Sequence, residues 1–125
     1  WNSPGTRLVY TSSSISLAVL EILVHLQSSS VLSSYVVIPA AFPEDVVDEL
    51  DPGNLPEGWN THPAPARTQR IGDEWVHSQR SLVLAVPSVV VPLEQNFLIN
   101  PSHPDAVRIE TGDPRPLPLD PRLKP

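Results

Sequence analysis

Sixteen of the 125 residues are proline, and no other feature constrains this chain as much. Proline has no amide hydrogen to give to a helix or a sheet ladder, and its ring fixes φ. Ordinary chains carry about 5% proline. Here prolines punctuate the loops and strand ends throughout, which argues against long helices. What remains is an α+β domain: several short strands in a mixed, partly split sheet, one main buried helix and short accessory helices.

The elements follow in order. Residues 7–11 read as a short strand. The run Ser12-Ser13-Ser14 offers N-cap hydroxyls to a helix over residues 15–27, which is apolar nearly all round and so expected to be largely buried. Residues 35–38 are extended and rich in β-branched side chains. Residues 42–50 read as a strand end followed by acidic helical turns. A loop follows, then a short helix over residues 68–76 with Trp75 toward the core, and a strand over 82–86. Residues 107–111 alternate as an edge strand, and 117–123 form a last extended piece.

Composition narrows the function. A chain of this length is one domain with its own core. Its 40% apolar and 18% charged residues are those of a globular protein. A net charge of -6 excludes a broad nucleic-acid surface. The absence of cysteine excludes disulfides and thiolate chemistry. The longest apolar run holds Glu21 and His25, falls short of the roughly 18 residues of a membrane span and follows no basic segment. The expected location is the cytoplasm, with no membrane partner. The chain opens at Trp1 in what reads as the middle of a loop, so an N-terminal segment is expected to be missing.

The most informative stretch is residues 86–101. It reads as two buried extended runs joined by a Pro-marked turn, with Ser88 inside the first run and Glu94, Gln95, Asn96 and Asn100 at or after the turn. Buried polar groups need partners, so the stretch reads as the floor of a site. Glu21 interrupts the apolar helix. At about 100° per residue it shares a face with Ala18, Ile22 and His25. It faces either a cavity or a narrow solvent stripe shared with His25. Ser88 has no Gly-x-Ser-x-Gly surroundings and is no hydrolase nucleophile; it either serves a site or bonds a neighbouring strand. Asn96 and Asn100 are also natural turn residues, and Tyr10, Trp59 and Trp75 natural packing residues. The four histidines have no metal spacing, and no glycine-rich loop could cradle a phosphate.

Together the landmarks are more specific. Trp1-Asn2-x-x-Gly5, Val9-Tyr10-Thr11-Ser12, Leu20-Glu21, Ile71-Gly72-Asp73-x-Trp75, Val86-Pro87-Ser88, Glu94-x-Asn96-x-Leu98-x-Asn100-Pro101-x-His103-Pro104 and Asp120-x-Arg122-Leu123 occur in this order. The pattern resembles the RES domain family over nearly the whole chain. The resemblance implies an ADP-ribosyltransferase-like fold and a bacterial toxin that destroys NAD, a substrate and not a cofactor, partnered by an Xre-like helix-turn-helix antitoxin. Glu21 and Ser88 match the Glu and Ser for which the family is named. They are the expected catalytic residues, with Tyr10 and Asn96 as substrate contacts and no metal. The family Arg, which would clamp the pyrophosphate, has no counterpart, and Arg7 is not at its place. The implied reaction is cleavage of the nicotinamide–ribose bond, with water or phosphate as acceptor. The alternatives are ADP-ribose transfer to a protein on the same fold, or an inactive, truncated toxin that only binds its antitoxin. A homodimer is left open.

Overall fold

The computed structural model describes residues 1–123, without the side chains of residues 29, 30 and 32. Its centre is the antiparallel pair β5 (Val83–Pro87) and β6 (Gln95–Ile99), in a register that sets Leu84 opposite Leu98 and Val86 opposite Asn96. β1 (Val9–Ser12) lies antiparallel on the free side of β6, with Ser12 opposite Asn96. β4 (Val47–Glu49) lies parallel to β5, giving a mixed sheet of order β1-β6-β5-β4. A parallel pair cannot be joined by a tight turn. The crossover is made by α2 (Ala66–Ser78), the longer of the two α-helices among the described residues.

Strand alternation sorts the core onto the two faces of the sheet. Leu84, Val86 and Leu98 pack with Trp75 of α2, whose indole N–H donates to Ser81 Oγ at 2.8 Å. Val83 and Ile99 point the other way and pack with Val46 and Leu82, supported by Phe42 edge-on to Phe97. α2 buries Thr68, Gly72 and Trp75, spaced four and three apart and so on one face. Two small pairs split off from the main sheet: β2 (Val36–Val37) with β8 (Arg115–Pro116), and β3 (Ala40–Ala41) with β7 (Glu110–Thr111).

The main apolar helix, α1 (Ile15–Leu23), starts at Ser14, whose Oγ accepts from the Leu17 amide at 3.1 Å. It ends four residues before the expected Gln27. There the bonds tighten to three-residue spacing, His25 to Ile22 and Leu26 to Leu23. It buries Leu17 and Val19 but leaves Ile15 and Leu20 exposed, along with Val24 at its end. Only the side turned to the sheet finds a partner, so apolar composition overstates its burial. Other elements also differ from expectation: Val47–Glu49, expected within acidic helical turns, is strand β4 after a single 3-10 turn over Glu44–Val46. β5 ends at Pro87, so Ser88 lies in the loop after the strand. Residues Pro104–Arg108 form a 3-10 helix capped by His103, which leaves Glu110–Thr111 as the strand. Asn100 is a turn residue: its amide donates to Leu82 O and its side chain accepts from Ser102 N.

Candidate functional site

Glu21, Ser88, Asn96 and Tyr10 come together where α1 crosses the end of the main sheet. Glu21 Oε1 accepts two hydrogen bonds, from Ser88 Oγ at 2.7 Å and from Asn96 Nδ2 at 2.6 Å. The donors reach it from the end of β5 and from β6. Asn96 is oriented in turn by β1: Ser12 Oγ donates to Asn96 Oδ1 at 2.8 Å, which leaves the amide nitrogen to face the carboxylate. Among the described residues, Glu21 Oε2 receives no hydrogen bond from a side chain or backbone amide. One carboxylate oxygen is fixed and the other faces open space.

That space is a cleft of 910 Å³ lined by Glu21, Tyr10, Asn96, His25, Trp1 and Trp59, among others. A second chamber of 540 Å³ shares Tyr10, Glu21, His25 and Asn96 and is bounded by Thr11, Ser12, Ala18, Ile22 and Tyr35. The face of α1 expected from helical spacing, Ala18, Glu21, Ile22 and His25, therefore borders a cavity. No Lys or Arg is among the described residues lining either chamber.

Ser88 stands differently from expectation. It is neither inside a strand nor on the cleft wall; it is 0% exposed. Its hydroxyl donates to Glu21 and accepts from the amides of Val90 at 3.1 Å and Val91 at 2.9 Å. A hydroxyl so engaged cannot touch a ligand. It fixes the carboxylate and closes the turn that follows β5.

Tyr10 is about half exposed, with its ring along the cleft and its hydroxyl turned into the loop before β1, where it donates to Asn2 Oδ1. Burial of that end, then the negative charge of Asp73, push the phenol up to about 12. The loop is pinned to α2. Asp73 accepts from the Ser3 amide at 3.0 Å and from the Ser3 hydroxyl at 2.6 Å, and these bonds hold its carboxyl below the usual range. Gly72 lets the loop approach: a Cβ there would stand 1.9 Å from the Trp1 carbonyl oxygen. Trp1 stacks on Trp59 with centroids 5.5 Å apart. Trp59 thus borders the cleft, while Trp75 is core.

Ser12, Asn2, Asp73 and the Trp1–Trp59 pair were not legible as parts of a site. Ser12 stood among N-cap serines. Asp73 was visible only within the Ile71-Gly72-Asp73 motif, with nothing local to say which loop it holds. Chemically, the arrangement is a neutral, hydrogen-bonded cradle for one carboxylate beside aromatic walls. It suits binding of a hydroxylated, partly aromatic molecule and stabilisation of developing positive charge.

The chain matches the family model described as RES domain over residues 1–120. It is 42% identical to the "Prs ADP-ribosylating toxin" of Sphingobium sp. strain YBL2, covering 98% of this chain and 78% of that protein. It is equally identical, 42%, to "Toxin Res" of Yersinia enterocolitica, covering 99% of this chain and 82% of the relative. "Toxin Res" of Photorhabdus laumondii is 39% identical over 84% of this chain and 67% of its own length.

Proposed function

This chain belongs to the RES domain family, and from that premise we propose that it is a toxin that consumes NAD by breaking the nicotinamide–ribose bond. The observation that carries the reading is the Glu21 carboxylate, held through one oxygen by Ser88 and Asn96 and open through the other to an aromatic-walled cleft. Loss of nicotinamide leaves an oxocarbenium-like ribose, as in glycoside hydrolysis. A carboxylate fixed before the reaction stabilises that charge without having to reorganise. Glu21 also accepts from ribose hydroxyls. Tyr10 lies alongside the departing ring, and its phenol stays neutral at physiological pH. Asn96 borders the ribose, and Ser88 acts through Glu21.

The test is incubation with NAD and measurement of free nicotinamide. The protein releases it, and Glu21→Ala reduces the release by about a hundredfold or more, the scale of a lost electrostatic contact at a transition state. Equal rates in the two proteins sink the proposal.

A second reading, ADP-ribose transfer to a protein, is favoured by the likeness to the Sphingobium ADP-ribosylating toxin. NAD labelled in its adenylate half then leaves its label on a macromolecule, whereas hydrolysis leaves it on free ADP-ribose. A toxin of this family works against an antitoxin, and the partner inferred from the resemblance is an Xre-like helix-turn-helix protein. A substrate of this kind supports action in the cytoplasm. Among the described residues, no helix is long and apolar enough to cross a membrane.

A further inference from the structure

Two chambers meet at Glu21, and NAD breakdown needs two reactants at ribose C1′. On α1, Val24 stands about 60° to one side of Glu21 and Ala18 about 60° to the other. Val24 borders only the larger chamber, and Ala18 and Ile22 only the smaller of the two. The two share a wall made of Tyr10, Glu21, His25, Leu26 and Asn96, and the carboxylate stands in it. A pyrophosphate placed across that wall would meet the carboxylate, charge against like charge. If NAD lies in the 910 Å³ chamber alone, the ribose reaches Glu21 and the phosphates stay away from it. That volume lies within the usual range for small-molecule sites.

Resting on the function proposed above, we propose that the smaller chamber is the acceptor's entrance. It admits an uncharged oxygen nucleophile, water or an alcohol hydroxyl, to C1′ from the Ala18–Ile22 side. Its walls suit such a group. Thr11, Ser12, Tyr35 and Asn96 supply hydroxyls and an amide, and Ala18 and Ile22 supply apolar surface. The open Oε2 of Glu21 repels an anion but takes a proton from a hydroxyl. In the step, the C1′–N bond breaks and its electron pair returns to the ring nitrogen, releasing neutral nicotinamide. The acceptor oxygen forms the new bond to C1′, and its proton passes to Glu21 and on to solvent.

The test fills the smaller chamber without touching the carboxylate or its donors. Ala18→Trp, with Ile22→Phe as the milder second variant, is compared with the unaltered protein in two assays. Affinity is read with carba-NAD, which cannot lose nicotinamide, and turnover as nicotinamide released from NAD. The expected result is carba-NAD affinity within about twofold and nicotinamide release slowed about tenfold or more, because the nucleophile is held off the reacting carbon. Methanol added to the unaltered protein yields methyl ADP-riboside. Between the natural sources, free ADP-ribose marks water, and label on protein marks a hydroxyl side chain.

Unchanged release in the filled variants overturns the inference. So does a parallel loss of carba-NAD affinity, which would put part of NAD in the smaller chamber. An ADP-ribose phosphate ester as the main product with added inorganic phosphate overturns it as well. If the unaltered protein releases no nicotinamide at all, the proposed function itself fails and this inference falls with it.

Discussion

Replacing Ser88 by alanine tests the carboxylate cradle directly. Three hydrogen bonds end on its hydroxyl: one donated to Glu21 and two accepted from the amides of Val90 and Val91. The bond to the carboxylate is charge-assisted and contributes about 1.5–3 kcal/mol. The two amides lose their acceptor at about 0.5–1 kcal/mol each, the low end, because Val90 and Val91 are only half-buried and water reaches part of the loop. The site of the hydroxyl is itself 0% exposed, so no water takes its place there. The sum is about 2.5–5 kcal/mol, a large part of the roughly 5–15 kcal/mol that holds a domain folded. With a urea dependence of about 1.5–2 kcal/mol per molar, the unfolding midpoint falls by about 2 M. Tryptophan fluorescence follows the transition. A double-mutant cycle with Glu21→Gln, which keeps the shape and removes the charge, isolates the pair and yields a coupling of about 1 kcal/mol or more. A midpoint within about 0.3 M of the unaltered protein, or strict additivity in the cycle, refutes the reasoning.

Three further outcomes follow from the wall opposite Glu21. Tyr10 is an acid whose folded value, about 12, lies above its ordinary 10.0, so its contribution to stability is full below pH 10 and fades as the pH rises toward 12; absorbance near 295 nm shows a tyrosine ionising at that high value, and Tyr10→Phe abolishes it. Asp73 is held below its ordinary 3.8 by the Ser3 hydroxyl and then the Ser3 amide, so its contribution is full above that value and lost as the pH falls through the lower folded one; thermal melts of Asp73→Asn across that acid range lose this part of the slope, and carba-NAD binding weakens because the Tyr10 loop is released. Gly72→Ala gains about 1 kcal/mol of helix propensity but sets a methyl against the Trp1 carbonyl; overpacking of about 1–3 kcal/mol outweighs the gain, and near-ultraviolet circular dichroism shows the Trp1–Trp59 stack disturbed.

Some of this site is written locally and some is not. Glu21 is legible because a carboxylate breaks an otherwise apolar helical run, and its spacing to Ala18, Ile22 and His25 defines the face that borders the chambers. Asn96 reads locally as a natural turn residue and enters the site only through the family resemblance, because its partner Glu21 lies 75 residues upstream. Ser88 misleads because Val86-Pro87-Ser88-Val89-Val90-Val91 has the composition of a continuing strand. The hydroxyl that accepts from two following amides turns the chain instead, and this competition between side chain and ladder has no periodic signature. Burial of α1 misleads for a related reason: apolar content does not say which side meets the sheet. The α+β class, by contrast, follows from the prolines and from short β-branched runs, which act at the scale of a few residues. The Asp73 clamp spans 70 residues to Ser3, and no local pattern carries that distance.

Distance along the chain also sets when the carboxylate cradle can form during synthesis. Glu21 waits for Ser88, 67 residues downstream, and for Asn96, 75 residues downstream. At about 5–20 residues per second, synthesis needs roughly 4–15 s to bridge that gap. Until β5 and β6 have left the ribosome and paired, Glu21 lacks both of its donors. The half-made chain therefore lacks the carboxylate cradle, which assembles only once β6 has joined β5.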